Sequence, residues 1–288
     1  MKAIYKRELR SYFTSMIGYI FIAVIIAYMG IYYMAANLYG GYPYFSETLS
    51  RMLSVFMFAI PVLTMRSLAD EKRSKTDQLL LTSPVTLPKI VLGKYLAMVT
   101  VFAVPVVIAC ICPIIIMANG TGYPVTDYAS IFAFFLLGCC FIAIGMFISS
   151  LTESQIIASV GTFGVLFAVY LWNDLVSYLP STAFGSLVGF LVLLVILCAI
   201  LWSVSKNALL TGGVGAAGLI ALFGLYLFDE TALAGTFPAL LGSFSLRSAF
   251  TNFAVYNVFD VAGLVLYLSC IFLFVFLTVQ TLQKRRWS

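Results

Sequence analysis

The feature that most limits what this chain can fold into is a series of long apolar runs with no charge at their centres. They fall at roughly 16–36, 52–65, 95–118, 128–149, 156–178, 184–203, 208–228 and 261–282. A helix needs about 20 such residues to cross the hydrocarbon core of a bilayer. Of all residues, 62% are hydrophobic and 9% are charged, against roughly 25% charged in soluble domains. Water cannot be the solvent for that much apolar surface, so lipid must be. The runs are continuous and lack the two-residue alternation of barrel strands. The expected fold is an all-α polytopic membrane protein with about eight transmembrane helices. The second run is short, and its start can extend back through Thr48 and Arg51.

Turn chemistry separates the runs: Gly40-Gly41 with Pro43, Asn119-Gly120-Thr121-Gly122, and Pro180-Ser181. The first run has full spanning length, and the polar stretch before it carries Glu8 among its basic residues. It is expected to stay as the first span rather than to be cleaved as a signal peptide. With the N-terminus inside, every Lys and Arg except Arg51 and Arg247 falls on the cytoplasmic side. That is the positive-inside bias, and it supports an even number of spans with both ends in the cytoplasm. The net charge of +5 is then explained by anionic lipid at the inner leaflet, without nucleic acid.

Several chemistries are disfavoured. There is no His, which removes the commonest general base and metal ligand. Cys110, Cys112, Cys139, Cys140, Cys198 and Cys270 all lie in apolar runs, without zinc spacing. Neither a metal site nor a catalytic constellation is expected. Gly93-Lys94 lacks the flanking residues of a phosphate-binding loop. The span centres carry no Lys, Arg, Asp or Glu, whereas ion-coupled transporters keep such groups at mid-membrane. A secondary transporter or channel that needs no ATP is the alternative reading. Gly185 to Gly189 forms the one G-x-x-x-G, and Gly212, Gly213, Gly215 and Gly218 cluster downstream. Both suggest close helix packing. Asn119-Gly120-Thr121 fits a glycosylation acceptor, and chance explains it as well.

Three regions are not simple spans. In Met1 to Ser15 a helical wheel sets Tyr5, Leu9 and Tyr12 on one side and Lys6, Arg7 and Arg10 on another. That pattern predicts a helix lying on the inner membrane surface, either as an anchor or also touching a cytoplasmic partner. The stretch from Arg66 to Lys94 is the longest inside loop. It runs through Asp70, Glu71, Lys72, Arg73, Ser74, Lys75, Thr76 and Asp77 to Gln78 and Leu79-Leu80-Leu81, and stops at Pro84. Exposed Leu beside charge has the form of a partner-docking helix. A solvated loop whose Leu dip into headgroups has the same composition. The outside segment 229–259 is apolar but broken by Gly235, Pro238 and Gly242. It is expected to be interfacial or re-entrant, lining a pathway or only packing.

On these residues the chain resembles the permease subunits of type 2 exporter ABC transporters, most closely the gliding-motility-like and copper-processing-like branch. The N-terminal stretch Tyr5-Lys6-Arg7-Glu8-Leu9-Arg10 followed by Gly18-Tyr19 looks like the family's surface helix and first span. Asp70 to Pro84, then Ile90 to Ala97, looks like its coupling segment and third span. Ser149-Ser150-Leu151-Thr152-Glu153 and the end from Leu277 to Trp287 also match. The family usually has Gly-Thr and an acid where this chain has Lys75-Thr76 and Gln78, and its core has six spans, to which 184–228 adds two.

The resemblance implies a non-catalytic subunit in a bacterial inner membrane that works as a dimer, with itself or with a related chain. Cytoplasmic ATPase subunits would bind the ATP and Mg, leaving no cofactor in this chain. The docking residues would be Asp70, Glu71, Lys72, Arg73, Lys75, Thr76, Asp77, Leu79, Leu80 and Leu81. It leaves room for an extracytoplasmic accessory subunit.

Overall fold

The computed structural model describes residues 1–76, 85–120, 122–206, 208–228 and 233–287. Among them there is no strand. Asp77, Leu79, Leu80 and Leu81 of the coupling stretch, and Thr121 of the acceptor motif, lie outside the described residues. Among the described residues, seven helical stretches are long and apolar enough to cross a membrane: Met16–Tyr39, Phe45–Arg73, Leu87–Asn119, Pro124–Leu151, Gln155–Ser177, Ala183–Ser203 and Val261–Arg285. The run expected at 208–228 is one helix, Ala208–Phe228, and its described apolar part is Thr211–Gly224.

The chain forms two compact units. The first holds Met1–Tyr170 and Leu246–Ser288, and the second Leu171–Ser245.

In the first unit, α1 (Lys2–Thr14) ends where Ser15 takes extended backbone, and α2 (Met16–Tyr33) leaves at once. Gly18 makes this elbow possible: a Cβ there would lie 2.5 Å from the Tyr12 carbonyl oxygen. At its far end α2 widens into a π-turn, Met34–Tyr39, in which Gly40 N reaches back to Ala35 O at 3.2 Å. Asn37 is buried there and donates to the carbonyls of Tyr42 (2.8 Å) and Tyr44 (2.9 Å).

The second span begins at α3 (Phe45–Arg51), earlier than the apolar run at 52. The reason is non-local. Asp127 Oδ1 accepts from the backbone N–H of Phe45 (2.8 Å) and Ser46 (3.3 Å), two of the orphan donors of a helix start. Phe45 and Leu49 are fully buried. A short 3₁₀ turn joins α3 to α4 (Val55–Thr64), and α5 (Ala69–Arg73) follows. The third span starts at Leu87, not 95, because Pro88 suits the first helical turn. It runs as α6 (Leu87–Ala109), breaks at Cys110-Ile111, and resumes as α7 (Cys112–Asn119).

The long helix α8 (Pro124–Leu151) is the axis of this unit and packs against α3, α4, α6 and the last helix. Rings of Phe56, Phe102, Phe134 and Phe141 fill the space around it. In lipid no hydrophobic gain drives helices together, so close van der Waals fit must do it. Small residues supply the fit: a Cβ on Gly138 would sit 2.3 Å from the Phe102 ring, and one on Gly145 2.5 Å from Thr64 Oγ1.

Most of α9 (Gln155–Ser177) and all of the last two helices of this unit complete it. These are α13 (Leu246–Ala254) and α14 (Val261–Trp287). The short α13 buries Leu246, Phe250 and Phe253 against α3, α8 and α14. Tyr267 OH donates to Leu246 O at 2.9 Å and Ser130 Oγ to Phe253 O at 3.2 Å. This part of the segment 229–259 packs.

The second unit pairs α10 (Ala183–Ser205) with α11 (Ala208–Phe228) and carries α12 (Thr236–Ser243). Thr182 caps α10 by accepting from Gly185 N at 3.1 Å. Gly218 lets Leu194 approach to 2.3 Å of its missing Cβ.

Candidate functional site

The expected amphipathic faces of α1 are present. Tyr5, Leu9 and Tyr12 turn inward, and Lys2, Lys6, Arg7 and Arg10 outward. Tyr5 OH lies 3.0 Å from Thr100 Oγ1 on α6, and Tyr12, buried, donates to Leu63 O at 3.2 Å. Burial holds the Tyr12 phenol well above its ordinary pKa. Gly93 completes the fit of α1 on α6, since a Cβ there would stand 3.2 Å from Ile4 Cγ2.

Four charged side chains from three elements meet beside this contact. Arg7 Nη2 lies 2.7 Å from Glu8 Oε1 and 2.8 Å from Glu71 Oε1. Lys94 Nζ lies 3.1 Å from Glu8 Oε1 and 2.9 Å from Glu71 Oε1. It also donates to Ser67 O at 2.9 Å. The Lys94 side chain is 2% exposed, so its charge is tolerable only because two carboxylates and a carbonyl surround it. The bond to Glu8 holds the Arg7 guanidinium above its ordinary pKa, burial working the other way.

The stretch after the second span is tied from further sides. Ser149 Oγ accepts from Leu68 N (3.3 Å) and Ala69 N (3.1 Å) and donates to Met65 O (3.3 Å). Lys72, buried, donates to Ser150 O. Gln155 Nε2 donates to Asp70 Oδ1 at 2.5 Å, and Arg66 reaches Asp70 Oδ2 at 3.4 Å. Arg285 on α14 pairs with Glu153 at 3.1 Å.

The structure therefore divides the expected docking residues. Glu71 and Lys72 face inward and hold the segment to the bundle, and Asp70 is half-buried. Arg73, Ser74, Lys75 and Thr76 face outward. Lys75 takes positive φ, 56°. The inward partners Ser149, Gln155 and Lys94 lie far along the chain from residues 66–76. Only the polar Ser-Ser-Leu-Thr-Glu run after an apolar span hinted at Ser149.

The glycines expected to pack helices do so unevenly. A Cβ on Gly189 would meet the Phe237 ring at 2.4 Å, and one on Gly185 would meet Pro180 at 2.7 Å. On Gly215 it would make an ordinary contact with Cys198, and on Gly212 it would meet nothing within 4 Å. The G-x-x-x-G thus accommodates an aromatic ring and a turn proline rather than a helix backbone.

Among the described residues no three His, Cys, Asp or Glu gather as metal ligands. The arrangement is a polar platform at one end of a helical unit, with a charged surface segment clamped to it.

Residues 2–184 match the model of a family described as ABC-2 family transporter protein. No curated protein matches the chain.

Proposed function

Because this chain belongs to the ABC-2 family of transporter proteins, we propose that it is the permease subunit of an ATP-driven exporter in an inner membrane, pairing with a second permease chain and with separate ATPase subunits. The observation that supports this reading is the clamp on residues 66–76. A segment held by α1, α6 and α8, yet presenting Arg73, Ser74, Lys75 and Thr76 outward, suits the transmission of force from a soluble partner.

In this reading ATP and Mg sit on the partner, and both chain ends are cytoplasmic. Closure of the ATPase pair pushes the docked segment. Helices with internally satisfied backbones act as rigid levers, so the push alters the contact between permeases. The leucines at 79–81 would supply the apolar knobs and Asp77 part of the polar rim.

Leu79→Asp with Leu80→Asp tests the docking. The ATPase is expected to be lost on copurification at unchanged permease level, and ATP-dependent transport with it. Persistence of both would remove the docking assignment. Transport in vesicles without ATP or any ATPase would favour a secondary transporter or channel. Labelling of Ser74→Cys from the outside of sealed cells would place the segment on the wrong side.

A further inference from the structure

The elbow between α1 and α2 encloses a cavity of about 240 Å³, bordered by Arg7, Glu8, Ser11, Arg66, Asp70 and Glu71, with Lys94 at its base. The mechanism proposed above uses these charges as a clamp but leaves the space between them unexplained. Three cations and three carboxylates line it, so its net charge is zero while its poles are separated. Glu8 and Glu71 each spend Oε1 on Arg7 and Lys94, and a carboxylate has about four lone-pair sites. Both therefore retain accepting capacity. Arg66 is exposed and makes one long contact to Asp70, and the Ser11 hydroxyl is exposed at the rim.

Position supplies the second observation. Ser15 and Ile17 border the same cavity, at the point where an amphipathic surface helix becomes a span. A surface helix that turns into a span would set this cavity at the depth of lipid headgroups. Just beyond, Met16, Tyr19 and Ile20 on the first turns of α2 are exposed apolar side chains, a surface for acyl chains.

We propose that this cavity binds the headgroup of an aminophospholipid from the leaflet in which α1 lies. The phosphodiester meets Arg66 and the Ser11 hydroxyl, and the ammonium donates to Glu8 and Glu71. A headgroup without an amine would face three carboxylates with no cation to offer them. A trimethylated ammonium would have no N–H to donate. The bound lipid bridges α1 and residues 66–71, so it sets how firmly the surface helix holds the segment after the second span. The inference needs only α2 in the membrane and α1 at its surface, and it stands whether or not an ATPase docks.

The test uses the full chain in nanodiscs of phosphatidylethanolamine and phosphatidylcholine in equal amounts with identical acyl chains. Lipid retained after detergent extraction is read by native mass spectrometry. Phosphatidylethanolamine is expected to be enriched about tenfold, the ratio set by a charge-assisted hydrogen bond that only one headgroup can make. Arg66→Ala, which removes the cation that holds the phosphodiester of either lipid, is expected to empty the cavity and so return the retained ratio to that of the bulk. Ser11→Trp, which fills the cavity from an exposed helix position, is expected to do the same without a change of charge. Equal retention of the two lipids, or enrichment that survives both variants, overturns the proposal. So does stronger retention of phosphatidylglycerol in a parallel disc, which would mean an anion site. Free phosphoethanolamine that displaces the retained lipid at similar concentration would assign the cavity to a soluble zwitterion and overturn the lipid.

Discussion

Lys94 Nζ lies 2.9 Å from Glu71 Oε1, which joins the first turns of the third span to the segment that follows the second. In the sequence alone, each could have been a solvated charge. Together with Glu8 and Arg7 they tie α1, α5 and α6 into one body.

Lys94→Met is expected to destabilise the chain by about 3 kcal/mol, since it leaves two carboxylates crowded without their buried cation. Adding Glu71→Gln should recover part of the loss, because one of the repelling acids is then neutral. Unfolding of the detergent-solubilised chain, measured for both single variants and the pair, checks this. Strict additivity would mean that the contact carries no coupling.

Gly18→Ala is expected to open the elbow. Its Cβ would stand 2.5 Å from a backbone oxygen, which cannot swing aside as a side chain can. The cost should be about 1–3 kcal/mol. The readout is the rate of cross-linking between Tyr5→Cys and Thr100→Cys, whose native side chains meet at 3.0 Å. That rate should fall, and an unchanged rate would show that α1 does not depend on the glycine.

Asp127→Ala should cost about 1–2 kcal/mol by removing the acceptor for two amides at the start of α3. Asp127→Asn should cost less, since its amide oxygen can still accept. The order of the two thermal midpoints decides the matter. If Asn proved as damaging as Ala, charge rather than hydrogen bonding would be what the site needs.

Gly138→Val is expected to cost about 2 kcal/mol by driving side-chain atoms into the Phe102 ring. Gly30→Val, on a span where a Cβ meets nothing within 4 Å, should leave unfolding of the monomeric chain nearly unchanged. The comparison separates packing from any general intolerance of the spans to larger side chains.

These cases mark what was legible in the residues. The spans were, because length and hydropathy decide membrane crossing with little help from tertiary structure. The faces of α1 were too, since Tyr5, Leu9 and Tyr12 recur at helical spacing. The start of the second span was legible back through Thr48 and Arg51 but not to Phe45, because Asp127, which fixes it, is remote in sequence. The inward roles of Glu71, Lys72 and Lys94 were hidden for the same reason: a charged residue reads alike whether it faces water or a distant carbonyl. The Gly185–Gly189 pattern left open what each glycine packs against. A missing side chain admits a ring or a proline as readily as a helix.

The π-turn at Met34–Tyr39 has a consequence for how the first two spans are spliced. Its ladder holds one more residue than an α-turn would, and each residue of an α-helix advances about 100° around the axis. The extra residue rotates the outgoing chain so that Asn37 faces inward, where its amide grips the carbonyls of Tyr42 and Tyr44 and its oxygen takes a 2.6 Å bond from Thr48. The hairpin there is thus a keyed joint, not slack cord. Deleting a single residue from it would swing Asn37 away from its partners and misalign the entry of everything downstream.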